Sequence, residues 1–146
     1  MTTHPKPSFK VISTPRHEKL KHLPFVPAIE VRASSTLIFV SGIVGTPDEM
    51  PAGQPFTPPG DIRIEAQRIF VRLQSTLALA GARLHDVVKV TKYMTDLDQH
   101  DAVVAVMREH FGNHLPTSTT IEVRRLVPRG FGLEIEAVAA ISGEGA

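Results

Sequence analysis

Two carboxylates, Glu134 and Glu136 in "LEIEAVAAI", interrupt an otherwise apolar segment near the end of the chain. If that segment is a strand, side chains alternate across it and both glutamates share a face. Carboxylates placed in this way are either charges at a subunit interface or site groups whose pKa is raised by burial. Just upstream, "PTSTTIEV" (116–123) sets the hydroxyls of Thr117, Ser118, Thr119 and Thr120 at the mouth of another strand-like run, where they could orient a ligand. Other chemistry-bearing residues form weaker patterns. His110 and His114 have the spacing of a helical metal pair, but Gly112 lies between them and neither an HExxH motif nor a third ligand is near. The seven histidines are read as surface or helix-end residues, and no metal is expected. Ser41 in "FVSGIV" lacks the glycine two positions earlier that a nucleophile elbow needs, so it reads as a small strand residue. Gly42, Gly45, Gly53 and Gly60 are not followed by Gly-Lys-Ser/Thr and form no phosphate loop. Arg124 and Arg125 are neighbours on one strand, face opposite ways and cannot form one anion clamp; with Arg129 they read as solvated or interface charges.

Positioning these groups requires an ordered set of elements. Short strands are predicted at Ser8 to Ile12 and Ala28 to Arg32, separated by the basic, proline-bounded "STPRHEKLKHLP", read as a loop. Ser35 to Val44 is apolar on both alternating faces, Leu37, Phe39 and Ile43 on one and Ile38, Val40 and Val44 on the other, as expected of a central strand covered on both sides. The proline- and glycine-rich segment 45–60 reads as a long surface loop, a place where function often resides. Asp61 then caps a helix with Ile62, Ala66, Ile69, Leu73, Leu77 and Ala80 on one stripe, stopped by Gly81. A β-branched strand follows at Asp86 to Met94, and a second helix at about 98–111 carries Val103, Val106, Met107 and His110 up to Gly112. Two strands, Thr119 to Leu126 and Leu133 to Ile141, close the chain around "VPRGFG".

The layout is α+β, with two helices free to cover one face of one sheet. The last strand puts Leu133, Ile135, Ala137, Ala139 and Ile141 on one face, yet Val138 and Ala140 accompany the glutamates on the other. No further sequence remains to cover that second face, so a homo-oligomer is expected.

Composition sets the outer bounds. The 146 residues, 42% hydrophobic and 21% charged, suit a single domain over 1–146, with an N-terminal strand and loop in 1–20. The absence of cysteine removes disulfides, thiolate nucleophiles and Cys-based metal sites, and is compatible with a reducing, cytoplasmic location. "MTTHPKPSFK" is unlike a secretory signal, and the apolar runs are too short to span a membrane, so a soluble protein without membrane partners is expected. A net charge of +1, spread along the chain, leaves no footprint for a polyanion; one tyrosine and no tryptophan leave few platforms for stacking bases.

The closing stretch "LPTSTTIEVRRLVPRGFGLEIEAVAAI" resembles the signature of the RidA (YjgF) family, older name L-PSP endoribonucleases, nearly throughout, with one extra residue before Leu133. "PFVPAIEV", "LIFVSGIVG" and "EAQRIFVRLQSTLALAGARLHDVVKVTKYMTDL" resemble upstream segments of the family, extending the likeness over about 22–142. The resemblance implies a chorismate-mutase-like mixed sheet with two helices on one face, assembled as a homotrimer with small-molecule clefts at the subunit interfaces. It further implies cofactor-free hydrolysis of enamines or imines to a carbonyl compound and ammonia, with an arginine gripping the substrate carboxylate and a glutamate handling water or protons. By that likeness Glu134 is the catalytic glutamate, while Ser41 and Gly42 line the cleft. Phe25 keeps the ring of a usual tyrosine, Val104 replaces a frequent asparagine, Thr120 a frequent cysteine, and Ser118 the arginine.

Losing one partner of a buried charge pair costs about 2 to 5 kcal/mol, roughly 30-fold to several thousand-fold in binding. A serine hydroxyl does not replace a forked guanidinium. The expected substrates are therefore bulkier or less charged than the generic 2-imino acids, in a pocket lined by Ser118, Thr119 and Thr120, unless Arg32, Lys92, Arg124 or Arg129 reaches the cleft. The alternative is a non-catalytic ligand-binding or chaperone-like trimer, motivated by the loss of both the arginine and the asparagine. RNA cleavage follows only from the older label, and the neutral charge balance argues against it.

Overall fold

The structure, a computed structural model, describes residues 8–19, 22–47, 53–55 and 57–143. Strands β1 (Phe9–Ile12) and β2 (Ala28–Val31) form an antiparallel ribbon. Between them lies α1 (Pro15–Lys19), a five-residue helix in a stretch whose sequence reads as a loop. Proline tolerates a first helical turn, and Thr14 supplies the cap by accepting the His17 N–H through its hydroxyl at 3.1 Å.

The main sheet contains β3 (Ser35–Val44), β4 (Val87–Met94), β5 (Thr117–Glu122) and β6 (Leu133–Ser142) in the order β3-β6-β4-β5. β6 runs antiparallel to both its neighbours, and β4 and β5 are parallel, joined across α3 (His100–Phe111). The other long helix is α2 (Ile62–Leu79). Asp61 caps it by accepting the Arg63 N–H at 2.8 Å, and Gly81 at φ +72° supplies the left-handed turn that lets the Ala82 N–H reach back to the Leu77 carbonyl.

α2 and α3 cover one sheet face. Ile69, Phe70, Leu73 and Leu77 of α2 meet Val103, Val106, Met107 and Phe111 of α3 above Val90, Met94, Leu133, Ile135 and Ala137. Each of the larger side chains among these contributes about 1.5–3 kcal/mol of transfer free energy. Among the described residues no helix is long and apolar enough to cross a membrane.

Three expectations are corrected. β3 is an edge strand, not a central one: Phe39 is 75% exposed and Leu37 46%. A bulge between Val40 and Ile43 shifts the alternation, so Ile43 joins Ile38 and Val40 on the helix face while Leu37 and Phe39 stay on the open face. β5 starts at Thr117 and ends at Glu122, so Arg124 and Arg125 lie beyond it. The second helix begins at His100 after a 3-10 turn, Leu97–Gln99. The expected loop 45–60 lies partly outside the described residues, as does the N-terminal segment 1–20.

Glu65 fixes the start of β6. Only 3% exposed, its carboxylate accepts the N–H groups of Gly132 at 3.0 Å and Leu133 at 3.1 Å. Burial pushes its pKa up, and these two N–H groups pull it back down. The same helical turn packs against the end of β3, where a Cβ on Gly45 would come within 2.7 Å of the Glu65 Cβ. Glu65 thereby anchors α2 twice, its carboxylate to the start of β6 and its backbone against Gly45 at the end of β3.

Candidate functional site: two half-sites on opposite sheet faces

Register assigns each candidate side chain to a face. Across β6, β4 and β5, Glu134 pairs with Tyr93 and Tyr93 with Ile121, while Glu136 pairs with Thr91 and Thr91 with Thr119; these side chains take the open face. Ala137, Val90 and Ser118 form one row on the helix face, and Ile135, Lys92 and Thr120 the next.

On the open face, Glu134 and Glu136 are both half-buried but differently engaged. The Tyr93 hydroxyl donates to Glu136 at 3.1 Å, and the two carboxylates raise the Tyr93 pKa, the Glu136 hydrogen bond being the largest cause. Among the described residues no donor reaches the Glu134 carboxylate, which lies over Gly42. A Cβ at Gly42 would lie 2.8 Å from the Glu134 Cδ and overlap its Oε1, so the carboxylate keeps this position only over a glycine. Ser41, beside it in the bulge, is exposed and lines a depression of about 370 Å³ with Phe39, Lys89, Thr91, Glu136 and Val138.

The helix face holds the second group. Lys92 is 1% exposed, and its ammonium donates to Ser118 Oγ at 2.6 Å, with Met107 Sδ at 4.0 Å. Burial pushes its pKa down to about 8. No carboxylate among the described residues pairs with it. A hydrogen bond joins His100 Nε2 to Thr120 Oγ1 at 3.2 Å, and burial followed by the Lys92 charge holds His100 below its ordinary pKa. Val104 is half-buried one turn beyond His100 on α3. Phe25 is half-buried before β2; its carbonyl is hydrogen-bonded to His17 Nε2 at 2.8 Å, and the adjacent Val26 N–H bonds to the Pro116 carbonyl at the entrance of β5.

The sequence-derived residues thus fall into two groups. Glu134, Ser41 and Gly42 belong to the open face; Ser118, Thr120 and Val104 belong to the α3 side. Thr119, expected to share a pocket with Thr120, faces the other way and is exposed, because a strand alternates. Of the four basic residues considered, Arg32, Arg124 and Arg129 are exposed, and Lys92 is the one at Ser118. Its sequence signal was a lysine on the otherwise apolar Val90, Lys92, Met94 face. His100 and Tyr93 had no comparable signal.

Nothing in this arrangement resembles a metal centre: among the described residues no three His, Asp or Glu side chains converge. His110 is hydrogen-bonded to Gln67 at 2.7 Å and stacks on Phe70, whereas His114 bonds to the Val87 carbonyl at 2.8 Å. The open-face carboxylate is suited to proton transfer, and the hydroxyls on the α3 side are suited to holding a polar substrate group.

Comparison with known proteins bears on the family and the fold. The family model described as Endoribonuclease L-PSP matches residues 18–141. A RutC family protein of Pyrococcus abyssi is 36% identical over 116 residues, 80% of this chain and 85% of that protein. The 2-iminobutanoate/2-iminopropanoate deaminase of Dermatophagoides farinae is 30% identical over 132 residues, 90% of this chain and 96% of that one. Among solved structures, a Mycobacterium tuberculosis member of the YjgF/YER057c/UK114 family superposes with a TM-score of 0.62 at 28% identity, covering 92% of this chain and all of that one (100%).

Proposed function

The chain belongs to the Endoribonuclease L-PSP family, that of the RidA/YjgF proteins, and from this premise we propose that it is a hydrolytic deaminase of an enamine, imine or related unsaturated small molecule, working as a homotrimer. The observation that carries the reading is the Glu134 carboxylate, held over Gly42 and free of any protein donor among the described residues. On the way from imine to carbonyl compound and ammonia, both protons of the attacking water must pass to nitrogen. A carboxylate at hydrogen-bond distance from both atoms relays them in turn: it takes one from water and gives it to the imine nitrogen as the C–O bond forms, then takes the hydroxyl proton of the carbinolamine and gives it to the departing nitrogen as the C–N bond breaks and the C=O bond forms. Imine and water become carbonyl compound and ammonia, with no redox change and no cofactor required.

The separation of the two groups supports an assembly of several protomers. Glu134 and Ser118 lie on opposite faces of one sheet, so a ligand touching both is best accommodated between protomers, one lending Glu134 and Gly42, the other Ser118 and Thr120. The exposed Phe39 and Leu37 give the open face an apolar surface for such a contact.

The test is ammonia release from imines and enamines generated in situ, 2-iminobutanoate beside bulkier and less charged analogues, with Glu134→Gln as control. Loss of an acid/base group of this kind lowers the rate by roughly 10²–10⁴-fold. Full activity in Glu134→Gln would sink the assignment. A wild-type protein that binds such compounds and returns them unchanged would replace it with the ligand-binding reading.

A further inference from the structure

Lys92 is a buried cation with too few partners. An ammonium has three protons to donate; at Lys92 one meets a good acceptor, Ser118 Oγ at 2.6 Å, and another a thioether at 4.0 Å. Charges this deeply buried are ordinarily paired, and an unpaired one is costly unless something binds to it. The neighbouring rows offer no anion: Ile135 and Thr120 flank Lys92 across the sheet, Met107 lies above it, and His100, which feels the Lys92 charge, is itself a base.

The bond to Ser118 has a direction. Because Ser118 Oγ accepts from Lys92, its own proton must point elsewhere, and the residue is half-buried on an edge strand, so that side can meet a ligand. A hydroxyl backed by an ammonium is polarised and donates more strongly than an isolated serine.

We propose that Lys92 is the counter-charge of the ligand site, acting through the Ser118 hydroxyl to bind the carboxylate of a small monocarboxylate ligand. The charge comes from β4, behind the hydroxyl, instead of from a long side chain on β5. A single cation behind a single hydroxyl suits one negative charge better than a phosphate dianion. The lowered pKa of about 8 still leaves the amine largely protonated at pH 7. This assignment rests on reading the β5 edge as the ligand side of the proposed deaminase. It takes up the exception left open for a basic residue such as Lys92 that reaches the cleft behind Ser118.

Binding without turnover tests it. Titration calorimetry at pH 7 compares butanoate with its neutral isostere butanamide. The wild type is expected to prefer butanoate by about tenfold or more, the worth of a hydrogen bond to a charged group. Lys92→Met, close in volume, is expected to bind both equally. Ser118→Ala, which keeps the lysine, is expected to lose several-fold affinity for butanoate and little for butanamide, and it keeps the test decisive should the lysine variant not fold. No preference in the wild type, a preference that survives Lys92→Met, or one unchanged in Ser118→Ala would each overturn the proposal. A protein that shows the Lys92-dependent preference yet releases no ammonia would remove the deaminase reading and leave this one standing.

Discussion

The Glu134 carboxylate occupies the space that any side chain at Gly42 would need, with Cγ 3.0 Å and Cδ 2.8 Å from the position of a Cβ there. Gly42 has no positive φ, so alanine fits the backbone and the conflict is with Glu134 alone. The far end of a glutamate side chain can swing aside at little cost in stability. Gly42→Ala should therefore unfold within about 1 kcal/mol of the wild type, no more than an average single substitution, yet release ammonia about 10²-fold more slowly, as expected when a reacting group is misplaced by an ångström. Urea titration and initial rates on the same preparation separate the two effects. A stable variant with unimpaired turnover would show that the Glu134 position is not critical.

Lys92 makes a prediction about stability. Its shift from 10.5 to about 8 corresponds to about 3 kcal/mol lost at neutral pH, where the ammonium must stay charged in the interior. The native state binds this proton less tightly than the unfolded chain, so the loss is complete below pH 8 and fades as pH rises from about 8 to 10.5. Lys92→Met should be the more stable protein at pH 7, and the difference should shrink across that range. Denaturation midpoints of the two proteins, compared pH by pH, cancel the other titrating groups.

Glu65 makes the opposite case, a buried carboxylate whose removal does harm. Glu65→Ala strands the N–H groups of Gly132 and Leu133 without acceptors and should cost about 2 to 5 kcal/mol in urea unfolding. Glu65→Gln retains an acceptor oxygen and should cost far less. Because burial raises the Glu65 pKa, the native state holds its proton more tightly than the unfolded chain. Its contribution is largest below the ordinary value of 4.5 and declines as pH rises through the raised native value, a slope that Glu65→Gln should flatten.

How far the sequence reaches is clear from these residues. Asp61, Gly81 and the Ile69, Leu73, Leu77 stripe define α2 because caps and periodicity are local. The pairing of Glu134 with Glu136 on one face follows from strand alternation. The bulge at Ser41–Gly42 does not follow from it: it depends on the register of β3 against β6, a long-range property, and it moved Ile43 to the helix face. Ser118 was identified as an altered position, but its link to Lys92 depends on the parallel pairing of β4 with β5, which local sequence does not encode. Glu134 was singled out over Glu136 by family resemblance alone; that Tyr93 engages Glu136 and not Glu134 depends on the pairing of β4 with β6, which local sequence does not encode.

Assembly is tested by Phe39, whose ring is 75% exposed on the open face with Leu37 beside it. In a monomer, exchanging so exposed a side chain changes stability by no more than about 0.5 kcal/mol. In a trimer that buries this face, Phe39→Glu places a charge in an apolar interface and should convert the protein to monomers in sedimentation velocity while leaving its far-UV circular dichroism unchanged. Turnover should vanish with the trimer, because Glu134 and Ser118 on opposite faces of one sheet then have no protomer between which to hold a ligand. A Phe39→Glu protein that remains trimeric and active would show that the interface lies elsewhere; one that becomes monomeric and stays active would show that a single chain carries a complete site.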